Sequence, residues 1–213
     1  MTPDEVVNDC QNLAGGHPDP SGRRATNKRR TRDALEQAAF ELFLRDGYDA
    51  TSVTDIAAAV HVSQRTFFRY FTTKDDVVFC GLDDDVERFV RILRDALRSD
   101  TPSWADLSAG IVAFGETYEA SRSTHLLRAE LVLRTPVLHG RAGRIQAEWR
   151  NRAVEVLAAR YGLPIADWDI QLLASLTMAV LGAAVIEWIW NDDVLLGDAV
   201  RRAAARAPEL LGG

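Results

Sequence analysis

From Thr31 onward the apolar positions fall on helical spacings. Leu35, Ala38, Ala39, Leu42 and Phe43 recur at i, i+3, i+4, i+7 and i+8, one buried stripe of a helix that Gly47 ends. Ser52, with Asp55 three positions on, is a Ser-x-x-Asp form of the capping box. It predicts a second helix over about 53–60, buried through Val53, Ile56, Ala57 and Val60. After a short His61-Val62 turn, Ser63 caps a third helix running from Gln64 to about Tyr70. Thr73 and Asp76 repeat the capping pattern before a long fourth helix, 74–98, with the stripe Leu82, Val86, Phe89, Val90, Leu93 and Leu97. Thr101-Pro102 breaks the chain, and Trp104, Leu107, Ile111, Phe114 and Tyr118 mark a fifth helix. A sixth covers about 123–134 and stops at Thr135-Pro136. A seventh reaches about Tyr161, before Gly162 and Pro164. An eighth covers about 167–190 and a ninth about 193–207, ahead of Pro208. No segment alternates with the period of a strand. The expectation is an all-α fold of about nine helices, an N-terminal three-helix helix-turn-helix domain followed by a helical bundle.

Composition refines this in three places. Residues 1–22 carry three Gly, three Pro and little that packs, so they are expected to form a disordered tail. The net charge of −6 is uneven: residues 22–74 hold ten Lys/Arg against six Asp/Glu, whereas 75–213 hold fifteen against twenty-one. A locally basic segment on an acidic body points to a polyanion met at one place. The segment 172–190 is apolar enough to be weighed as a membrane span, but Glu187 lies inside it and Asp167, Asp169, Asp192 and Asp193 flank it. A core helix shared with a partner subunit is the expectation, with no membrane. Cys10 and Cys80 are far apart and outside any CxxC spacing, which suits reduced thiols in a cytoplasmic protein. The polar, acidic first twenty residues do not read as a signal peptide.

The chemistry concentrates in HVSQRTFFRYF, residues 61–71. At 100° per residue Phe67 and Phe71 lie about 40° apart, with Gln64 and Phe68 beside them, while Arg65, Thr66, Arg69 and Tyr70 fall on the other side. One face can pack and the other can meet DNA, as in the second helix of a helix-turn-helix. Arg65 suits a guanine edge, Gln64 an adenine, and Thr66 offers a methyl and a hydroxyl. Thr51, Thr54, Ser63, Arg69, Tyr70 and Lys74 are the expected neighbours of this contact, mostly for phosphates. The run RRATNKRRTR, 23–32, is read as a solvated basic arm, with Arg23, Arg24, Lys28, Arg29 and Arg30 adding salt-sensitive attraction. These readings divide the chain into 1–22, a DNA-binding domain at 23–74 and a second domain at 75–211. No GxSxG, P-loop, HExxH or paired Cys–His arrangement points to an enzyme. His125 and His139 have no partner at metal spacing, so neither a metal nor a cofactor is expected.

The stretch GYDATSVTDIAAAVHVSQRTFFRYFTTKDDV, 47–77, resembles the TetR family of bacterial transcriptional regulators through Gly47, Thr51, Ser52, Val53, Ile56, Ala57, Val62, Ser63, Thr66, Phe67, Tyr70, Phe71 and Lys74. Two positions depart from that pattern: His61 replaces a turn glycine, and Phe68 replaces a tyrosine whose hydroxyl commonly touches phosphate. RTFFRYF followed by KDDV is also similar to a branch with acyl-CoA-like ligands. The resemblance implies a homodimer on a palindromic operator, most simply a repressor, released by a small apolar or amphipathic effector. It further implies an effector pocket, for which Phe89, Trp104, Phe114, Tyr118, Trp149 and Met178 are the candidates, with Arg128, Arg134, Arg141 and Arg144 available to an anionic head group. For the dimer interface the candidates are Leu176, Ala179, Gly182, Ala183, Val185 and Trp188. The alternative is an architectural DNA-binding protein without an effector.

Overall fold

The computed structural model describes residues 20–119 and 122–211, with side chains described from Thr26 to Leu210. Among the described residues there are ten α-helices and no strand: α1 (Pro20–Asp46), α2 (Val53–Ala59), α3 (Gln64–Phe68), α4 (Lys74–Val78), α5 (Leu82–Ala96), α6 (Trp104–Glu116), α7 (Arg122–Arg134), α8 (Pro136–Tyr161), α9 (Trp168–Trp190) and α10 (Leu196–Leu211). The all-α expectation holds. Of the tail expected over 1–22, residues 1–19 lie outside the described residues. The basic run differs from expectation: it is not an arm but the opening turns of α1, which starts at Pro20. Lys and Arg are good helix formers and no Gly or Pro follows Gly22 until the helix ends, so nothing in 23–32 stops it.

The first four helices share one core. Leu35, Ala39, Phe40 and Phe43 from α1 meet Ile56, Ala57, Phe67 and Phe71, and Val77, Val78, Phe79 and Cys80 join them from below. Leu131 of α7 and Leu138 of α8 complete the same cluster, so this head is not sealed without the body. Each such fully buried large side chain contributes about 1.5–3 kcal/mol. The Ser52–Asp55 and Thr73–Asp76 capping boxes both form, fixing where α2 and α4 begin.

The expected fourth helix, 74–98, is two helices. Gly81 sits between them at φ +82°, a left-handed conformation that cannot continue a right-handed helix and that suits glycine. α5 then packs on α6 and α8 in a second core containing Phe89, Val90, Leu93, Ile111, Phe114, Leu157, Met178 and Trp188. Among the described residues α9 alone is long and apolar enough to cross a membrane, with mean hydropathy 2.0. Ile170, Ala174, Thr177, Met178, Val180, Ala184 and Trp188 along it are buried, and it packs on α6, α7, α8 and α10. α10 runs through Pro208 instead of stopping before it. Proline has no N–H for the carbonyl four residues back, which is Ala204, and Trp104 Nε1 donates to that carbonyl at 3.1 Å.

Candidate nucleic-acid interface and adjoining cavity

α2 ends in a Schellman turn. Val62 N–H donates to Ala57 O and His61 N–H to Ala58 O, both at 3.0 Å, with His61 at φ +56°. The turn rotates the chain into α3, where Ser63 Oγ accepts from Thr66 N–H at 3.1 Å. Phe67 is fully buried and Phe71 nearly so. Gln64, Arg65, Phe68 and Arg69 stand outward together. Phe68 is a correction to the helical wheel: it is 50% exposed, its ring edge-on to Phe67, because α3 is only five residues long and the chain turns after it. Sequence reasoning missed it as a surface group. The signal was there, since Gln64 and Phe68 are i,i+4 neighbours.

The other expected contacts divide. Thr54 is exposed, as are Lys28, Arg29 and Arg30 on α1; the side chains of Arg23 and Arg24 lie outside the described residues. Ser63 and Thr66 point their hydroxyls at each other, 2.9 Å apart. Tyr70 is half-buried and its hydroxyl accepts from Arg69 at 3.2 Å. Burial would raise the Tyr70 pKa, but hydrogen bonds from Arg69 and Thr31 and the charges of Arg69 and Lys28 outweigh it and lower it. Two expectations are overturned. Thr51 is 3% exposed and its hydroxyl donates to Gly47 O at 2.9 Å. Lys74 turns inward over the Tyr48 ring, donating to Tyr48 O at 2.7 Å and Thr51 O at 3.3 Å, so it fastens the α1–α2 loop to α4.

Below the head an apolar cavity of about 330 Å³ opens between α7, α8 and α9. Of the six pocket candidates, Tyr118, Trp149 and Met178 line it. Phe89 and Phe114 do not; they stand behind Trp149, with ring centres 5.4 and 5.5 Å from it. Trp104 is the proline-compensating donor described above and does not line the cavity. A more polar cleft of about 550 Å³ lies on the other side of Phe79, Leu82, Ile145 and Trp149, which line both spaces. Arg32, Arg141 and Arg144 border this cleft. Arg141 pairs with Asp76 at 2.7 Å, Arg134 pairs with Glu130 at the surface, and Arg144 enters no ion pair among the described residues.

Arg128 is not available to a head group. It is buried, and every arm of its guanidinium is engaged. Nε donates to Val78 O at 2.7 Å, one terminal nitrogen to Cys80 O at 2.6 Å and to Glu36 at 3.1 Å, and the other meets His125 Nδ1 at 3.2 Å. One side chain on the cavity wall therefore holds the last carbonyl of α4, the Cys80 carbonyl just beyond it and a carboxylate of α1. Burial, then the charges of Arg128 and Arg88, pushes the His125 pKa down to about 4, so the ring is neutral. Burial raises the Tyr118 hydroxyl pKa, helped by Asp85, to which it donates at 3.2 Å.

Of the expected interface residues, Ala179 and Ala183 are exposed and Leu176, Gly182 and Val185 half-buried; Gly182 and Val185 also line the cavity. Trp188 is corrected: at 1% exposure within one chain it is core and cavity wall. The exposed apolar stripe of α9 is instead Trp168, Leu172, Ala179, Ala183, Ile186 and Trp190. The four large members were missed, although they extend Ala179 and Ala183 by steps of three, four and seven.

An exposed cationic helix set by a tight turn on an all-helical body defines a helix-turn-helix DNA-binding protein. The description "Bacterial regulatory proteins, tetR family" matches residues 36–79, and "MftR C-terminal domain" matches 101–210. The chain is 36% identical to the HTH-type transcriptional regulator TcmR of Streptomyces glaucescens, over 83% of this chain and 80% of that one. It is 29% identical to the putative mycofactocin biosynthesis transcriptional regulator MftR of Mycobacterium tuberculosis, over 88% and 92%. Its fold resembles the transcriptional regulator FadR from Bacillus subtilis in complex with stearoyl-CoA, at TM-score 0.57 and 20% identity, covering 81% and 95%. This chain belongs to the TetR family of bacterial transcriptional regulators, DNA-binding proteins and not enzymes.

Proposed function

We propose that the chain is a cytoplasmic repressor that binds a palindromic operator as a homodimer and is released by a small apolar or amphipathic effector, without a membrane or a cofactor. In this reading residues 23–74 are the DNA-binding unit and 75–211 the effector-binding and dimerisation unit. Gln64, Arg65, Phe68 and Arg69 enter the major groove. Thr54, Ser63, Thr66, Tyr70 and Lys28–Arg30, with Arg23 and Arg24, meet the backbone around it. Two copies joined through the exposed face of α9 set their α3 helices about one DNA turn apart, roughly 34–36 Å. The effector occupies the cavity at Tyr118, Trp149 and Met178; an acyl-CoA-like molecule would lay its chain there and its anionic end toward Arg141 and Arg144.

The observation that carries the ligand-responsive reading is the Arg128 junction. A molecule pressing on the wall at His125 and Arg128 acts on Val78 O, Cys80 O and Glu36 without touching them. Two states of that junction, with different affinities for effector and DNA, couple the sites. A rigid architectural protein has no use for a cavity of about 330 Å³ fastened to its reading head in this way. The test is a gel-shift on genomic fragments, including the region upstream of its own gene, at low and high salt. A shift on a palindromic site is expected. Arg65→Ala should weaken it by about 1–3 kcal/mol and relax one base position. No shift at any salt concentration defeats the reading.

A further inference from the structure

We infer that a second copy of the chain closes the cavity: the partner's α9 lies across its mouth, so the effector is held by two chains and the site of a lone chain is incomplete. This rests on the reading of the cavity as the effector site and of α9 as the joint between copies. Three exposed residues, one from each wall, mark where the cavity meets solvent: Leu133 of α7, Gln146 of α8 and Ile186 of α9. Leu133 is 46% exposed and Ile186 52%. At 100° per residue, Gly182 and Ile189, which line the cavity, lie on the flank of α9 next to its outward apolar stripe, and Ile186 belongs to both. The mouth therefore opens along the edge of the stripe. Apolar surface at such a mouth is unfavourable in water, and a covering surface removes that cost.

The stripe itself points to what covers it. Trp168 and Trp190 stand eleven positions either side of Ala179, and Leu172 and Ile186 seven either side. A stripe whose large groups mirror one another about a small one fits its own copy, run antiparallel about a two-fold axis at Ala179. Ala179 and Ala183 let the two helices come close at the centre, and a shallow crossing of about 20° keeps the ends in contact. No Asp, Glu, Lys or Arg stands on the stripe, so nothing on it repels its like. In that register the partner subunit's Leu172 falls against Ile186, and the partner subunit's Leu176 against Gly182, both at the cavity's edge. Gly182 supports this seat. Glycine inside a helix is less stable than alanine, yet a Cβ at Gly182 would meet only Gln146 Nε2, at 4.0 Å, so packing within one chain does not require the bare backbone. A side chain arriving from outside the chain does.

Contacts from both chains make effector binding and dimerisation reciprocal: the factor by which the partner tightens the effector is the factor by which the effector tightens the dimer. The test uses the full chain and the neutral fluorescent probe N-phenyl-1-naphthylamine, with sedimentation velocity for the state of assembly. Leu172→Glu puts a charge on the stripe at an exposed position that does not line its own chain's cavity. It should sediment as a folded monomer and bind the probe about tenfold more weakly than the wild-type dimer. In wild type, saturating probe should tighten the dimer by about a hundredfold, tenfold for each of two sites. A monomer that binds the probe as tightly as the dimer overturns the inference and leaves the cavity reading standing. So does a wild-type dimer that binds the probe without any change in its own dissociation, and this arm needs no variant to fold. A Leu172→Glu chain that stays dimeric, or a wild type that is monomeric at every concentration, puts the joint elsewhere and overturns it too. If the wild-type dimer does not bind the probe, the cavity reading itself fails and the inference falls with it.

Discussion

His61 holds a left-handed backbone conformation that costs an ordinary side chain about 1–2 kcal/mol, and its ring is exposed with no compensating hydrogen bond given to it. His61→Gly should therefore raise stability by about 1 kcal/mol in urea unfolding, with the Schellman turn unchanged. The other informative histidine is buried. The His125 pKa is about 4 in the folded chain, below its ordinary value near 6.5, so the unfolded chain takes up the proton first as pH falls. The stability tied to neutral His125 is fully present above about pH 6.5 and is lost progressively toward pH 4. Glu36 and Asp85, both raised chiefly by burial, work in the opposite sense over part of that window. The clean measurement is the difference between wild type and His125→Gln, whose amide oxygen can still accept from Arg128. The variant should gain on wild type in thermal unfolding between pH 6.5 and 4.5, and a pH-independent difference would refute the assignment. At this scale the sequence was a partial guide. The turn residue and the buried pair Phe67 and Phe71 were legible, because they follow from local spacing. Thr51 and Lys74 were not, because their inward turn depends on Gly47, on Tyr48 and on a lysine stem crossing 26 residues of sequence to reach the Tyr48 carbonyl.

Helix starts were legible wherever a capping box stood in the sequence, as at α2 and α4, and helix ends less so. The segment 74–98 reads as one helix in the sequence, but α4 ends at Val78 and Gly81, at φ +82°, precedes the start of α5. Pro208 is the reverse case, a breaker overruled by a tertiary donor. Trp104→Phe removes that donor and leaves Ala204 O without its indole partner, which should cost about 1–2 kcal/mol. Pro208→Ala restores a backbone N–H to the same carbonyl, so Trp104→Phe should cost measurably less in that background. A double-mutant cycle with no coupling would show that the contact carries no energy. The two faces of α9 were merged in the sequence because both are apolar, and only packing separates Trp188, inside, from Ile186, outside. If the outer stripe joins two copies, Ile186→Glu should give a monomer by light scattering at micromolar concentration. It should also weaken operator binding by about a hundredfold, since each half-site then binds alone. A variant that stays dimeric would move the interface elsewhere.

At the scale of the whole molecule three arginines gather on the segment that leads from α4 into α5, and one of them, Arg128, engages its backbone. Arg32 Nε donates to Cys80 Sγ at 3.0 Å, and Arg141 pairs with Asp76 while covering the Phe79 ring. Arg128 binds the carbonyls of Val78 and Cys80, and Leu131 one turn further along α7 enters the head's core. All three arginines converge on Asp76, Val78, Phe79 and Cys80, the segment just before the glycine at the α4–α5 turn. Such a turn has two ways to move, in φ at Gly81 and by sliding on the guanidinium of Arg128, whereas an unbroken helix over 74–98 would transmit only a rigid tilt. Lysine cannot reproduce the planar fork that holds two carbonyls, Glu36 and His125 at once. Arg128→Lys should therefore raise amide hydrogen exchange in α1 near Glu36, across Val77–Leu82 and in α7 together, with the exposed Arg134→Lys as a control that changes little. Faster exchange confined to α7 would mean that the cavity wall and the reading head are not joined through this residue, and the coupling would have to be sought at Trp149, where the two cavities share their wall.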